Sequence, residues 1–418
     1  MKVAVIGAGI TGVSAAWHLD QGGMRVHLIE AGLRIGGQAH THLISVKEGS
    51  VTVDTGFSVS NPVGYPGFHH WLNGFDLELN AARMDVSVQD QVEDLEFGTV
   101  SLAAMTGKVG QLFRSGYWRI WQDRTRLFAE LDALQGTGQS LGDYIQGKRY
   151  SRRFVQSYLL PLISAFQGYT GSAFDMPLSD ALNYLRYQKL LHYRGGRDWQ
   201  VVQGGSSAYL QAFEKQFSGV IHTNSMASDI SRDGRQVNLI RDGLAETYDA
   251  VVLACDSDQA LHMLADTSSE QRTVLAQATP RRSDAFLHGD QSFMPRNRTC
   301  WASRNVTREK SGHHSVTYWI NRIQGLTCSE QFFLTVNPSR EPQRVRWQGS
   351  YMLPHAGQSA QALQRRWSEV STQDICFAGA YSGYGTHEDG FITGLHCAEH
   401  LLHMAVSRTD AKGRASAA

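Results

Sequence analysis

The chain reads as α/β, opening on a Rossmann-type dinucleotide-binding unit, and three observations carry that reading. Val3-Ala4-Val5-Ile6 is an apolar run long enough for a buried parallel strand, and it passes straight into Gly7-Ala8-Gly9-Ile10-Thr11-Gly12 and a small-residue helix. Arg25-Val26-His27-Leu28-Ile29 offers a second strand to the same sheet and ends in Glu30. Near the other end, Ile375-Cys376-Phe377-Ala378-Gly379 is again a short apolar strand entering a glycine turn, followed by a loop and a helix predicted to start near Gly390.

Each part of the opening unit has a physical reason. Gly7 makes the tight turn, Gly9 keeps a side chain out of the path of a diphosphate, and Gly12 lets the helix lie close on the sheet. The first helical turn, with Thr11 in it, offers unpaired N–H groups and a partial positive charge to phosphates. Glu30 stands near the spacing at which an acid takes up ribose hydroxyls.

Composition narrows the rest. A chain of 418 residues, 42% hydrophobic, has enough apolar material for a sizeable core and points to two domains. Lysine plus arginine equals aspartate plus glutamate at 39 each, so no global field favours nucleic acid, and nucleic-acid binding is set aside. The five cysteines, Cys255, Cys300, Cys328, Cys376 and Cys397, include no C-x-x-C pair. They fit reduced thiols in a cytoplasmic protein better than a disulfide framework, and no metal site is expected. The first strand begins almost at Met1, so no signal peptide is expected, and no apolar run is long enough to span a bilayer.

The run Glu30-Ala31-Gly32-Leu33-Arg34-Ile35-Gly36-Gly37-Gln38-Ala39-His40-Thr41 resembles the second glycine signature of the flavin-containing amine oxidase superfamily, which also takes in phytoene-desaturase-like and protoporphyrinogen-oxidase-like enzymes. The resemblance implies FAD, with Arg34, Gly36 and Gly37 along the diphosphate and ribityl chain and Ala39 and Thr41 completing the run. It implies a glutathione-reductase-like FAD-binding domain of the amine oxidase type, with an inserted α+β substrate domain. One departure is Gln38, where the family usually has arginine.

Along the chain, Val51-Thr52-Val53-Asp54-Thr55-Gly56-Phe57 reads as a strand entering a turn; the family passes an Asp-x-Gly turn beside the flavin here, which would place Gly56 and Phe57 at the cofactor, although an ordinary β-turn uses the same residues. From about Phe68 to His192 the pattern is helical, clearest in Tyr117–Phe128, Leu141–Ile145 and Phe154–Ile163, and it resembles the family's helical cap. Its aromatic stripes suit a core at least as well as an apolar tunnel. Trp199-Gln200-Val201-Val202-Gln203-Gly204-Gly205-Ser206 resembles the segment that returns the family's chain to the nucleotide domain. The strand Val220–Ile230 follows, where Met226 matches a residue whose backbone holds adenine. Asp242-Gly243 is a hairpin signal, and Tyr248–Cys255 is a second buried strand with Ala254 where the family packs the cofactor closely. Thr299–Ser303, Ser315–Asn321 and Gln331–Pro338 have β composition. These readings give an FAD-binding domain in three parts, 1–60, 198–265 and 369–406, a helical substrate domain over 61–197, a β-rich substrate domain over 266–368, and a flexible tail over 407–418.

The closing motif is Gly379-Ala380-Tyr381-Ser382-Gly383-Tyr384-Gly385-Thr386-His387-Glu388-Asp389-Gly390-Phe391. In the family, Gly379 and the next residue, normally acidic but here Ala380, meet the ribityl chain. The helix start at Asp389, Gly390 and Phe391 aims its dipole at the flavin pyrimidine. Gly383–Gly390 and Val316–Leu326 resemble G-Y-G-x-H-E-D-G and V-T-Y-W-x-N-R-x-Q-G-L of a bacterial NAD/FAD-binding, amine-oxidase-like subgroup. That subgroup is associated with lipid modification and accompanies cyclopropane-fatty-acid-synthase-like methyltransferases.

His387, Glu388 and Tyr384 are the catalytic candidates. Hydride removal to flavin N5 with desaturation also requires a proton acceptor, which His387 or Glu388 would supply; carboxylates at a helix start are equally what a cap uses. Tyr381 and Tyr384 both stand where an aromatic residue would face substrate. The expected lysine near flavin N5 has no counterpart in Asp284–Gly289. The reading is therefore an FAD-dependent oxidoreductase, with non-covalent FAD, that dehydrogenates a hydrophobic, fatty-acyl or lipid-like substrate, with oxygen or another electron acceptor. Its rivals are a flavin amine oxidase releasing peroxide and a non-catalytic flavoprotein supporting a partner enzyme. A peripheral membrane or carrier contact and a homodimer stay open, though no basic amphipathic helix announces membrane binding.

Overall fold

The computed structural model describes residues 1–107, 109–113, 115–130, 138–164, 173–187, 198–234, 236–353, 366–367 and 370–416. Its centre is a five-stranded parallel sheet in the order Ile375–Phe377, Ala250–Leu253, Lys2–Ile6, Arg25–Ile29, Val220–His222. A parallel sheet covered on both faces needs strands apolar on both sides, and Val3, Ala4, Val5 and Ala250–Leu253 are all fully buried.

The helices Ile10–Gln21 and His387–Ser416 pack side by side on this sheet. Their approach is set by small residues: a Cβ on Gly394 would stand 2.2 Å from the Thr11 carbonyl oxygen, and Ser14 Oγ donates to the Phe391 carbonyl at 2.7 Å. The opening and closing segments of the chain thereby become one body. A three-stranded meander, Ala227–Asp233, Gln236–Arg241 and Leu244–Tyr248, turns at Asp242-Gly243 as expected. No helix among the described residues is long and apolar enough to cross a membrane.

The other half is a seven-stranded mixed sheet in the order Val345–Leu353, Arg281–His288, Phe333–Val336, His314–Trp319, Arg304–Arg308, Val86–Asp90, Leu95–Gly98. Behind it lie the helices Ser115–Glu130, Leu141–Lys148 and Leu178–Tyr187, sharing one apolar cluster with Val86, Val88, Phe97, Val306 and Val316.

Several expectations need correction. The helical reading from Phe68 onward fails over residues 79–98, where Leu79–Ala82, Val86–Asp90 and Leu95–Gly98 are strands. Buried polar residues hid them: Ser87 bonds Asn305 at 2.7 Å and Gln89 bonds Glu96 at 2.7 Å, so polar positions that look solvent-facing are satisfied inside. Thr299–Ser303 is not a strand; Asn297 caps a short turn at Arg298–Cys300, and the strand begins at Arg304. The closing helix starts at His387, not Gly390, and its backbone is helical to Ser416.

Candidate active site

The first strand delivers the chain to Gly7, whose φ of 96° favours glycine. A Cβ there would stand 2.7 Å from the Ala254 carbonyl oxygen, and one on Gly12 would stand 1.8 Å from the Gly7 carbonyl oxygen. The protein's own packing requires both glycines, and brings Ala254 onto the turn. Gly9 is different. A Cβ built on it meets nothing within 4 Å, and its φ of −68° suits any residue. No side chain caps the helix that follows and no acid stands in its first turn, where Thr11 is buried. Open space in front of uncapped N–H groups is what a diphosphate needs.

Glu30 closes one side of this cradle. Its Oε2 accepts from Ala8 N–H at 2.8 Å and its Oε1 from Gly32 N–H at 2.7 Å, leaving further lone pairs for ribose hydroxyls. The loop Gly36-Gly37 folds over Gly9, with Gly36 N–H donating to the Ala8 carbonyl at 2.7 Å. Arg34 braces this loop, donating to the carbonyls of Ile35, Gly37 and Ala39 at 3.2, 2.8 and 2.9 Å; its guanidinium is engaged with backbone where the resemblance pointed to a phosphate. Gln38 is exposed and donates to the Met352 carbonyl at 3.1 Å. Ala39 is buried against the same body. Met226, the residue expected to hold adenine, donates its N–H to Asp242 Oδ1 and accepts Asp242 N–H at its carbonyl, which keeps a second lone pair.

The turn after the hairpin is equally tight. A Cβ on Gly56 would stand 1.8 Å from the Gln38 carbonyl oxygen, which also accepts Phe57 N–H at 3.0 Å. Beneath it, buried Asp54 accepts from Thr41 Oγ1 at 2.5 Å, Ser206 N–H at 3.1 Å and Gln324 Nε2 at 3.1 Å, and burial raises its pKa. One carboxylate thus ties the hairpin, the returning helix Ser207–Gln216 and the β-rich half together. Beside it runs a hydrogen-bonded row, Tyr351 Oη to Thr55 Oγ1 at 3.1 Å and Thr55 Oγ1 to His42 Nε2 at 2.9 Å. Sequence reasoning missed both, because Ser206, Gln324 and Tyr351 lie 152 to 296 residues from their partners.

The closing motif sorts into distinct roles. Thr386 and Asp389 cap the last helix reciprocally: Asp389 N–H donates to Thr386 Oγ1 at 3.1 Å, and Asp389 Oδ2 accepts from Thr386 N–H at 2.8 Å and Tyr384 N–H at 3.0 Å. Glu388 caps a different helix, Pro66–Leu72, accepting from Gly67 N–H at 2.7 Å and Phe68 N–H at 3.0 Å. Neither carboxylate is left bare. Tyr381 turns inward, edge-on to Trp367, and is core rather than substrate wall. The Phe391 ring is also buried, among Trp71, Phe68 and His18, so only its backbone belongs to the helix start. Gly390 comes close to the opening helix, where a Cβ would stand 2.7 Å from Thr11 Oγ1. Gly379 and Ala380 lead into this turn, with Gly379 N–H donating to Thr393 Oγ1 at 3.2 Å. Tyr384 Oη accepts from Asn183 Nδ2 at 2.9 Å, which ties the motif to the helical half.

His387 remains. Its ring stacks on Phe57 with centroids 3.6 Å apart and planes 3° apart, meets Phe68 edge-on at 4.9 Å, and has Nε2 3.3 Å from Tyr209 Oη. Burial lowers its pKa from 6.5 to about 3, so it is a neutral imidazole at ordinary pH. Nε2 is engaged with the tyrosine, and Nδ1 has no hydrogen-bond partner among the described residues.

Comparison with known proteins agrees with this geometry. The family model described as flavin containing amine oxidoreductase matches residues 10–332. A 4,4'-diapolycopene oxygenase from a Methylomonas species is 26% identical over 333 residues, 69% of this chain. The chain spans 62% of the length of that relative and 16% of the other curated relative it matches. Cyclohexylamine oxidase from Brevibacterium oxydans IH-35A superposes with a TM-score of 0.71 at 14% identity, over 97% of this chain and 99% of that one. The CLA-producing fatty acid isomerase from P. acnes does so with a TM-score of 0.69 at 13% identity, over 95% and 97%. At such identities these two likenesses establish a shared fold.

Proposed function

The chain belongs to the flavin containing amine oxidoreductase family, and from that premise we propose that this FAD-dependent oxidoreductase dehydrogenates a hydrophobic, fatty-acyl or lipid-like substrate. The observation that carries the reading is the aromatic setting of His387: it is neutral and packs against Phe57, Phe68 and Tyr209, while the carboxylates of Glu388 and Asp389 are held on backbone N–H groups as helix caps. An ammonium ion desolvated against these rings would have to compete with backbone N–H groups for the nearest carboxylate, whereas an apolar chain would bury its surface there. The 4,4'-diapolycopene oxygenase among the sequence relatives supports an apolar substrate.

The cradle fits FAD bound without a covalent link, with the first turn after Gly9 on the diphosphate and Glu30 on the ribose. Cys376 and Cys397, beside the closing motif in sequence, are buried in the core. Bound FAD supplies a two-electron hydride acceptor that oxygen or another acceptor reoxidises. His387, fixed by its stack on Phe57, orients the chain and receives the proton at Nδ1. A base this weak cannot remove a proton ahead of the hydride, so proton loss accompanies or follows it. Tyr384 lines the side nearest the helical half.

The test is anaerobic bleaching of the flavin by long-chain acyl compounds, polyenes and alkylamines of matched length. Acyl compounds should bleach it fastest; bleaching by amines alone would replace this reading with the amine oxidase one.

A further inference from the structure

Among the described residues only one phenylalanine and one tryptophan are exposed, and they stand together. Phe113 is 86% exposed at the end of the turn Val109–Phe113, and Trp118 is 51% exposed near the start of the helix Ser115–Glu130. Trp118 Nε1 donates to the Leu112 carbonyl at 2.8 Å, which lays the indole against the residue next to Phe113. The base beneath them is fixed by buried groups. Gln111 Nε2 donates to the Glu96 and Thr106 carbonyls at 2.7 and 2.9 Å, and Tyr117 Oη donates to the Met105 carbonyl. These bonds tie the turn to the short helix Leu102–Thr106, whose first residue, Leu102, is 71% exposed. Large apolar side chains grouped on the outside of a fixed base mark a contact surface.

The stretch carries charge of one sign. Between Glu96 and Asp123 the sequence holds Lys108, Arg114 and Arg119 and no carboxylate. The two bounding acids are each 2% exposed and occupied: Glu96 accepts from the backbone N–H groups of Arg296 and Asn297 at 3.1 and 3.0 Å, and Asp123 from Ser151 N–H at 2.9 Å. Arg119 reaches Asp123 at 3.5 Å, yet half of its side chain stays exposed. The turn Arg298–Cys300 meets the short helix through Cys300 Sγ and the Ala104 carbonyl at 3.7 Å, and adds the exposed Arg298. We propose that this surface docks the protein on an anionic lipid bilayer, with Phe113, Trp118 and Leu102 entering the interface and Arg119 and Arg298 meeting headgroup phosphates. Rings and leucine rest at the acyl boundary, tryptophan is favoured where an apolar layer meets a polar one, and guanidinium groups reach back to phosphate. The surface is a turn rather than an amphipathic helix, so no helical period announces it. It stands independently of the substrate proposed above.

The flavin-loaded full chain is sedimented with vesicles of phosphatidylcholine alone and of phosphatidylcholine and phosphatidylglycerol in equal parts. It should bind the mixed vesicles about fivefold or more tightly than the neutral ones, and added salt should narrow the difference. Phe113→Ser and Trp118→Ser should each weaken binding to the mixed vesicles roughly tenfold, and Arg119→Gln about fivefold. Phe113→Ser should keep its Tm, because so exposed a ring adds little to the fold. A chain that ignores both kinds of vesicle, or whose binding none of the three substitutions changes, overturns the proposal. So does a wild type that self-associates in sedimentation velocity without binding vesicles and turns monomeric in Phe113→Ser, since a second copy then covers the surface. Vesicle binding as expected, with no acyl compound bleaching the flavin, upholds the surface and sinks the acyl reading alone.

Discussion

The nucleotide cradle and the reaction space are built in opposite ways. The cradle is made of backbone and of missing side chains, from residues close in sequence: Gly7, Gly9, Gly12, Glu30 and Gly36. The proposed reaction space is made of side chains that converge from distant elements, Phe57, Phe68, Tyr209 and His387. Within the cradle the contrast sharpens again, because Gly12 is required by the fold and Gly9 is not. A glycine motif mixes positions kept for packing with positions kept for a ligand, and only the space around each tells them apart.

The strongest way to break this distinction is at Gly12. Gly12→Val forces a side chain to within 1.8 Å of the Gly7 carbonyl oxygen, and should cost more than about 3 kcal/mol, lowering the apoprotein Tm sharply along with FAD binding. Gly9→Val should do something different: the apoprotein Tm should hold while FAD affinity, followed by flavin fluorescence, falls tenfold or more, about 1.4 kcal/mol. Equal loss of apoprotein Tm in the two variants would erase the distinction.

In the reaction space the test is His387→Ala. Flavin should stay bound, with its visible bands intact, while anaerobic reduction slows by about a hundredfold; an unchanged rate would remove this residue from the chemistry. The same residue gives a pH signature. With its pKa depressed from 6.5 to about 3, the unfolded chain binds a proton below about pH 6.5 that the folded chain excludes until about pH 3, so stability declines as pH falls through that window. His288 and His314, each lowered to about 4 by burial, act in the same direction. Wild-type Tm should fall between pH 7 and pH 5, and His387→Ala should lose less of it.

The same division explains what could be read from the chain alone. Strand, glycines, helix and acid at residues 3–30 are local, so the cradle was legible, and so was the return at Trp199–Ser206. Side-chain engagements over long range were not. Nothing near Met226 announces that Asp242 occupies its backbone, and nothing near Arg34 shows that its guanidinium braces a loop. The strand Val86–Asp90 stayed hidden because its polar residues are satisfied by Glu96 across the hairpin and by Asn305, 218 residues from Ser87. Tyr381 and Tyr384, three apart in one motif, point to opposite fates for the same reason.

The smallest expected effect decides the role of Glu388. Both of its oxygens accept backbone N–H groups, those of Gly67 and Phe68, at the start of a seven-residue helix. Glu388→Gln keeps one acceptor and turns an amide N–H₂ toward the other donor, which should cost about 1 kcal/mol of stability. Because both oxygens of Glu388 are held on backbone N–H groups as a helix cap, the rate of flavin reduction in this variant should stay within about twofold of wild type, unlike that of His387→Ala. A large kinetic loss at Glu388 with no loss of Tm would mean that the cap opens during turnover and the carboxylate serves as the base, moving proton transfer from the imidazole to its neighbour in the same turn of helix.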